Sequence, residues 1–148
     1  MVRIGNKIKN TTYKKRKCAY IIIEREEDNK IAIATDGLFF LLGGGLENDE
    51  NEIQALKREL LEETGYEIKN INFFDKVTSW ILDPKRGYLD ITATIYIGKF
   101  DKKVIEPIEL DHKILWVNPC DYKNKLYHDY QKYILNKYIQ MKGIKDND

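Results

Sequence analysis

An α/β fold is what this sequence predicts, and three observations carry the prediction. Two pairs of apolar, β-branched stretches are separated by turn signals, residues 18–24 with 30–35 and residues 71–82 with 88–100. Between the pairs lies a stretch of helical periodicity that follows a run of glycines and stops at Gly65. A second helical stripe, residues 129–142, runs up to Gly143. The 148 residues suffice for one ordinary domain with a core of its own.

Taken in order, residues 1 to 16 are polar and basic, without the apolar run of a secretory signal. The cluster Lys14, Lys15, Arg16, Lys17 reads as a solvated strand edge more than as a phosphate contact. Residues 18–24 form a compact apolar run and read as a buried strand; Asp28-Asn29 marks a turn, and residues 30–35 return as its hairpin partner. After the turn Asp36-Gly37, residues 38–42 are expected as a short third strand feeding a loop of Gly43, Gly44 and Gly45. A helix is expected over about residues 49–64. Its core face is Ile53, Leu56, Leu60 and Thr64, and Glu52, Glu59 and Glu63 form a stripe alongside. Residues 71–82 and 88–100 make a second hairpin around Pro84 and Gly87. In its return strand Ile91, Ala93, Ile95 and Ile97 share one face, opposite Thr92, Thr94 and Tyr96. An acidic loop over 106–113 leads to a strand at 114–117, and Asn118-Pro119 reads as a helix start. In the last helix Tyr130, Tyr133, Ile134, Tyr138 and Met141 are expected to face the core. With no internal repeat, low-complexity segment or linker, residues 1–148 are expected to be a single domain.

Composition excludes several classes of function. A net charge of +1 gives no global field for a nucleic-acid polymer or an acidic membrane. The longest apolar runs, 18–23 and 38–42, are too short to span a bilayer. Cys18 and Cys120 lack metal-ligand spacing and are expected as buried, reduced thiols of a cytoplasmic protein.

The central helix poses an electrostatic problem. Glu59 and Glu63, with Glu62 about a third of a turn further round, gather at the border of the core, where like charges at i,i+4 cost roughly 0.2–0.5 kcal/mol per pair. Arg58 reaches most naturally Glu62 at i+4, leaving a divalent cation to compensate the rest. All-oxygen ligation suits Mg²⁺, with Mn²⁺ as the alternative, and not zinc. Gly43, Gly44 and Gly45 allow close approach of backbone to a ligand, which beside such an ion suits a pyrophosphate. The chemistry described is hydrolysis of a diphosphate linkage, with a carboxylate taking the proton of a metal-activated water. Carboxylate stripes taken alone are more often a solvated face.

Spacing changes that balance. Gly44, five residues, Glu50, seven residues, Arg58-Glu59-Leu60, one residue, Glu62-Glu63, one residue, Gly65-Tyr66 reproduces the Nudix box over 44–66. Seven fixed letters at roughly one in fifteen usage match by chance in about 10⁻⁸ of windows. The chain resembles Nudix hydrolases of the MutT-like kind. Tyr66 replaces the family's bulky aliphatic residue, and Leu41-Leu42-Gly43-Gly44-Gly45 replaces the commoner Pro-Gly-Gly. The resemblance implies a Nudix-type α/β/α sandwich, a mixed β-sheet between helices. It implies Glu59 and Glu63 as main Mg²⁺ ligands, Glu62 as a further ligand or base, and Arg58 as the residue orienting them. It assigns Glu50 to the loop and helix start, and a backbone carbonyl at Gly43 or Gly44 to the metal shell. A downstream acid before the strand carrying Trp116 is implied to assist, with Glu109 chosen and Glu106 and Asp111 as alternatives. The implied substrate is a small nucleotide, a (d)NTP or an oxidised purine nucleotide such as 8-oxo-dGTP cleaved to monophosphate and pyrophosphate. ADP-ribose and dinucleoside polyphosphates stay open, as does a nucleotide-sensing module without turnover. A homodimer is compatible with all of these. His112, His128, Trp80, Trp116, Phe39 and Phe40 read as structural residues.

Overall fold

The computed structural model describes residues 1–108 and 112–145. In chain order its elements are β1 (Val2–Ile4), β2 (Lys14–Glu24), β3 (Ile31–Thr35), β4 (Phe39–Phe40), β5 (Leu42–Gly45), α1 (Glu52–Thr64), β6 (Tyr66–Asp83), β7 (Gly87–Lys103), β8 (Lys113–Val117), α2 (Pro119–Tyr122) and α3 (Asp129–Lys142). The strands form one mixed sheet in the order β1-β6-β7-β2-β3-β4, with β5 added to β2 and β8 to β3. The β1–β6 and β2–β7 pairs are parallel, and both predicted hairpins are antiparallel.

The alternation of β2 divides the interior in two. Cys18 and Ile22 belong to a cluster with Ile91, Ala93 and Ile95 of β7 and Tyr130, Ile134, Leu135 and Tyr138 of α3. Ala19, Ile21 and Ile23 point the other way, to Leu56 and Leu60 of α1. The sheet therefore lies between α1 on one face and α3 on the other, the expected α/β/α arrangement. Both cysteines are buried and free. Among the described residues no helix is long and apolar enough to cross a membrane.

Several expectations need correction. Residues 2–4 form a strand, and β2 begins at Lys14, so the basic cluster extends the strand; it pairs with β7 on one side only and is largely exposed, in keeping with a solvated edge. The helix starts later than predicted. Asn51 is its cap, in a reciprocal capping box with Gln54, while Asp49 stands outside it at φ 66°. Ala55 is buried and Ile53 only partly so. Gly65, at φ 78°, ends α1 and turns the chain directly into β6, five residues before the predicted strand. Three register shifts between Tyr66 and Asp75 break the alternation that would have revealed that early half. In α3 the buried positions are Tyr130, Gln131, Ile134, Leu135, Tyr138 and Ile139, while Met141 is 53% exposed. At about 100° per residue the stripe is turned by roughly 75° from the predicted one. Gln131, a polar residue inside it, is the reason the sequence pattern misleads.

Candidate active site

The glycines are a strand and not the expected loop. Gly43, Gly44 and Gly45 of β5 pair with Tyr20, Ala19 and Cys18 of β2. The other edge of this strand is met by side chains of α1: the Gly43 N–H donates to Glu63 Oε1 at 3.0 Å, and Arg58 Nη2 donates to the Gly45 carbonyl at 3.1 Å. Each glycine is required by what lies against it. Gly43 sits at φ 138°, where a Cβ would overlap the Ala19 carbonyl. A Cβ on Gly44 would stand 2.6 Å from the Glu59 carboxylate carbon, and one on Gly45 would overlap the Arg16 guanidinium.

Arg58 does more than the i+4 pairing predicted for it. Its fork is bidentate on Glu50, with Nε to Oε2 at 2.7 Å and Nη2 to Oε1 at 2.9 Å. Its Nη1 is shared by Glu59 at 3.2 Å and Glu62 at 3.3 Å, with Glu47 at 3.6 Å. The Glu50 hydrogen bonds, followed by the charge of Glu59, hold the guanidinium even more firmly protonated than usual. Arg58, and next the Glu47 N–H, hold Glu50 below the usual carboxylate range. Glu63 is buried, at 6% exposure.

The donor chemistry around β5 fits a hard divalent cation, since Glu59, Glu62 and Glu63 offer oxygen alone. Among the described residues no three acidic, His or Cys side chains close on a common point; Glu59 and Glu62 face Arg58 Nη1, and Glu63 faces the Gly43 N–H. Glu109 and Asp111 lie outside the described residues. Glu106 is exposed and pairs with Lys103 at 3.1 Å. The segment before residue 109 is tied to the end of α1: the Val104 N–H donates to the Gly65 carbonyl at 2.9 Å and the Ile108 N–H to that of Glu62 at 3.0 Å.

A cavity of about 390 Å³ opens beside the glycines. Gly43, Gly44, Gly45, Glu59 and Glu63 form one side of it, while Arg58 and Glu62 stand outside its lining. The rest comes from the opposite face of the sheet: Arg16, Cys18 and Tyr20 of β2, Leu89 and Ile91 of β7, His128 and Tyr130, with the β6–β7 turn over the top. Gln131 lies at its floor, accepting from the Leu41 N–H at 2.8 Å and donating to the Tyr130 hydroxyl at 3.3 Å, with the Tyr20 ring 6.2 Å from that of Tyr130. Burial pushes both phenols above their usual range, so they stay neutral. His128 stacks on Tyr130 at 5.4 Å, and burial lowers its pKa.

Phe40, His112 and His128, read from sequence as structural, all line this cavity, His112 next to Asp36 at 3.8 Å. Trp80 and Trp116 do not: Trp80 carries Arg3 at 4.2 Å, and Trp116 carries Arg25 at 4.4 Å. Phe39 packs on Tyr122. Sequence reasoning missed Arg16, Tyr20 and the turn residues Asp83, Lys85 and Arg86. For Arg16 a signal existed, because positions 16, 18 and 20 share a strand face.

The sequence matches the NUDIX domain family over residues 14–137. Similar solved structures include a NUDIX hydrolase from Nitrosomonas europaea, 18% identical with TM-score 0.71 over 91% of this chain and 98% of that one. The ORF135 protein of E. coli is 24% identical, with TM-score 0.68 over 92% and 96%. The MutT protein of Bacillus halodurans is 17% identical, with TM-score 0.66 over 82% and 80%. No curated protein matches the sequence. The chain belongs to the NUDIX domain family, and its fold is similar to those of MutT proteins and other Nudix hydrolases. Hydrolases of this family act on nucleoside diphosphate-linked small molecules and generally use divalent metal ions.

Proposed function

We propose that this enzyme hydrolyses a (d)NTP, or an oxidised purine nucleotide such as 8-oxo-dGTP, to the monophosphate and pyrophosphate, with Mg²⁺ or Mn²⁺ bound. The observation that carries this reading is the course of the cavity across β5. Carboxylates stand at one side of three side-chain-free residues, and an aromatic chamber with cationic residues stands at the other. A phosphate chain is thin enough to cross there while its nucleoside occupies the chamber.

In the reaction, water adds its oxygen to phosphorus, the anhydride P–O bond breaks, and the bridging oxygen leaves on pyrophosphate. The proton of the water passes to a carboxylate, for which Glu62, Glu63 and Glu109 are the candidates. Glu59, Glu63 and Glu62 would hold the metal, which when bound neutralises phosphate charge and acidifies water. Arg58 positions Glu59 and Glu62 through one shared nitrogen. Gly43, Gly44 and Gly45 pass the phosphates, the Gly43 N–H fixing Glu63.

The test is a Mg²⁺ hydrolysis screen over canonical and oxidised (d)NTPs, ADP-ribose, nucleotide sugars and dinucleoside polyphosphates. Pyrophosphate and monophosphate are expected from one nucleotide class, with Glu63→Gln lowering turnover roughly 10²-fold or more. Tight binding of any member with no turnover of the panel would instead support a nucleotide-sensing module.

A further inference from the structure

Gly44 and Gly45 divide the cavity between the two faces of the sheet. Gly44 faces Glu59 on α1, whereas Gly45 faces the opposite side, where the Arg16 guanidinium covers it. Arg86 reaches the same wall from the β6–β7 turn. Both arginines line the cavity with Cys18; burial raises the thiol's pKa, and the charges of Arg16 and then Arg86 oppose that rise. Lys85 lines the cavity beside them.

Among the described residues these cations have no ion-pair partner within 4.0 Å. A guanidinium carries five donors, and a thiol is a weak acceptor for one of them. Among the described residues the ion pairs within 4.0 Å engage Arg3, Arg25 and Arg58 and several lysines, and none of them engages Arg16, Lys85 or Arg86. Asp83 at the turn is held by the backbone, its Oδ1 accepting from the Lys85 and Arg86 N–H groups at 2.8 and 2.9 Å, and Asp36 stands by His112. Two arginines from separate elements, converging without an acid, suit an anion brought by the ligand.

We infer that Arg16, assisted by Arg86, binds the phosphate that stays on the nucleoside product, across the glycine strand from Glu59 and Glu63. This rests on the reading of the substrate as a nucleotide. The carboxylate side takes the departing pyrophosphate, and the retained phosphate lies where the chain crosses Gly45. Arg16 then holds substrate and product alike, so its loss falls on KM more than on kcat.

Calorimetric binding of the deoxynucleoside 5′-monophosphates and their parent nucleosides to the metal-free protein tests this without turnover. The wild type is expected to bind at least one monophosphate about tenfold or more tightly than its nucleoside, the scale of one charge-assisted hydrogen bond. Arg16→Gln should bring that ratio to within about twofold, Arg16→Lys should keep part of it, and KM in hydrolysis should rise about tenfold with kcat nearly unchanged. If Arg16→Gln does not fold, Arg86→Gln should show a smaller loss in the same direction. A wild type without preference, or a variant weakening nucleoside and monophosphate equally, overturns the inference. Phosphate preference without turnover would defeat only the proposed reaction, and turnover without preference only the role of Arg16.

Discussion

At Gly44 a single absent methyl group sets the position of Glu59. The nearest carboxylate atoms stand 2.6 Å from where a Cβ would be, so Gly44→Ala must displace them. A misplacement of this order costs about 10²-fold in rate, and kcat/KM should fall by that much while the melting temperature hardly changes. Full activity in the variant would mean that Glu59 does not need its observed position. The carboxylates of α1 were legible because residues three and four apart share a helix side, so their clustering is written into local spacing. Arg16, His112 and His128 were not. They come from a strand, a loop and a helix cap, and only the packing of those elements brings them to one cavity. Gln131 was hidden for a related reason: its value lies in satisfying the buried Leu41 N–H, a partner 90 residues away.

Among the elements, α1 depends on how it starts. Asn51 Oδ1 accepts from the Gln54 N–H and Gln54 Oε1 from the Asn51 N–H, each at 2.9 Å. Asn51→Ala removes one half of this box and should cost about 1 kcal/mol. For a chain of this size that lowers the melting temperature by about 2–4 °C in calorimetry. An unchanged midpoint would show that the packing of Leu56 and Leu60 alone fixes the helix. Its Gly65 stop and the end of α3 at Gly143 were visible in the sequence because left-handed C-caps favour one residue type. The strand β1 was invisible, its three residues being too short to carry a period and dependent on Val77, Thr78 and Ser79 for partners. In β6, bulges displaced side chains out of strict alternation, and only the regular half could be read.

For the whole molecule, the two-layer interior makes stability depend on groups buried far from the carboxylates. His128 packs between Phe40, Tyr127 and Tyr130 in the larger cluster's wall, and burial holds its pKa below the usual 6.5. As pH falls through about 6.5 the unfolded chain takes up this proton first, so the unfolded state binds more protons and stability falls. The loss levels off once the pH passes below the folded value. Glu50 is also held below its own usual range, by Arg58 first, and its contribution is lost in the same sense but only at lower pH. Urea midpoints should therefore drop between pH 7.5 and 5, and His128→Gln should flatten that slope even though it lowers the plateau. An unaltered slope would place the titration elsewhere.

The edge of β5 has a consequence for how the protein behaves in a crowded solution. A flat glycine strand with one side open would be a template for pairing with another chain, the usual route to fibrillar aggregates. Here Glu63 occupies the Gly43 N–H and Arg58 the Gly45 carbonyl, so side chains of the Nudix box cover backbone groups that an incoming strand would need. Glu63→Gln leaves an acceptor at the Gly43 N–H, whereas loss of Arg58 uncovers the Gly45 carbonyl. On the proposed function, the side chains that would serve the reaction also cover the polar edge of the strand.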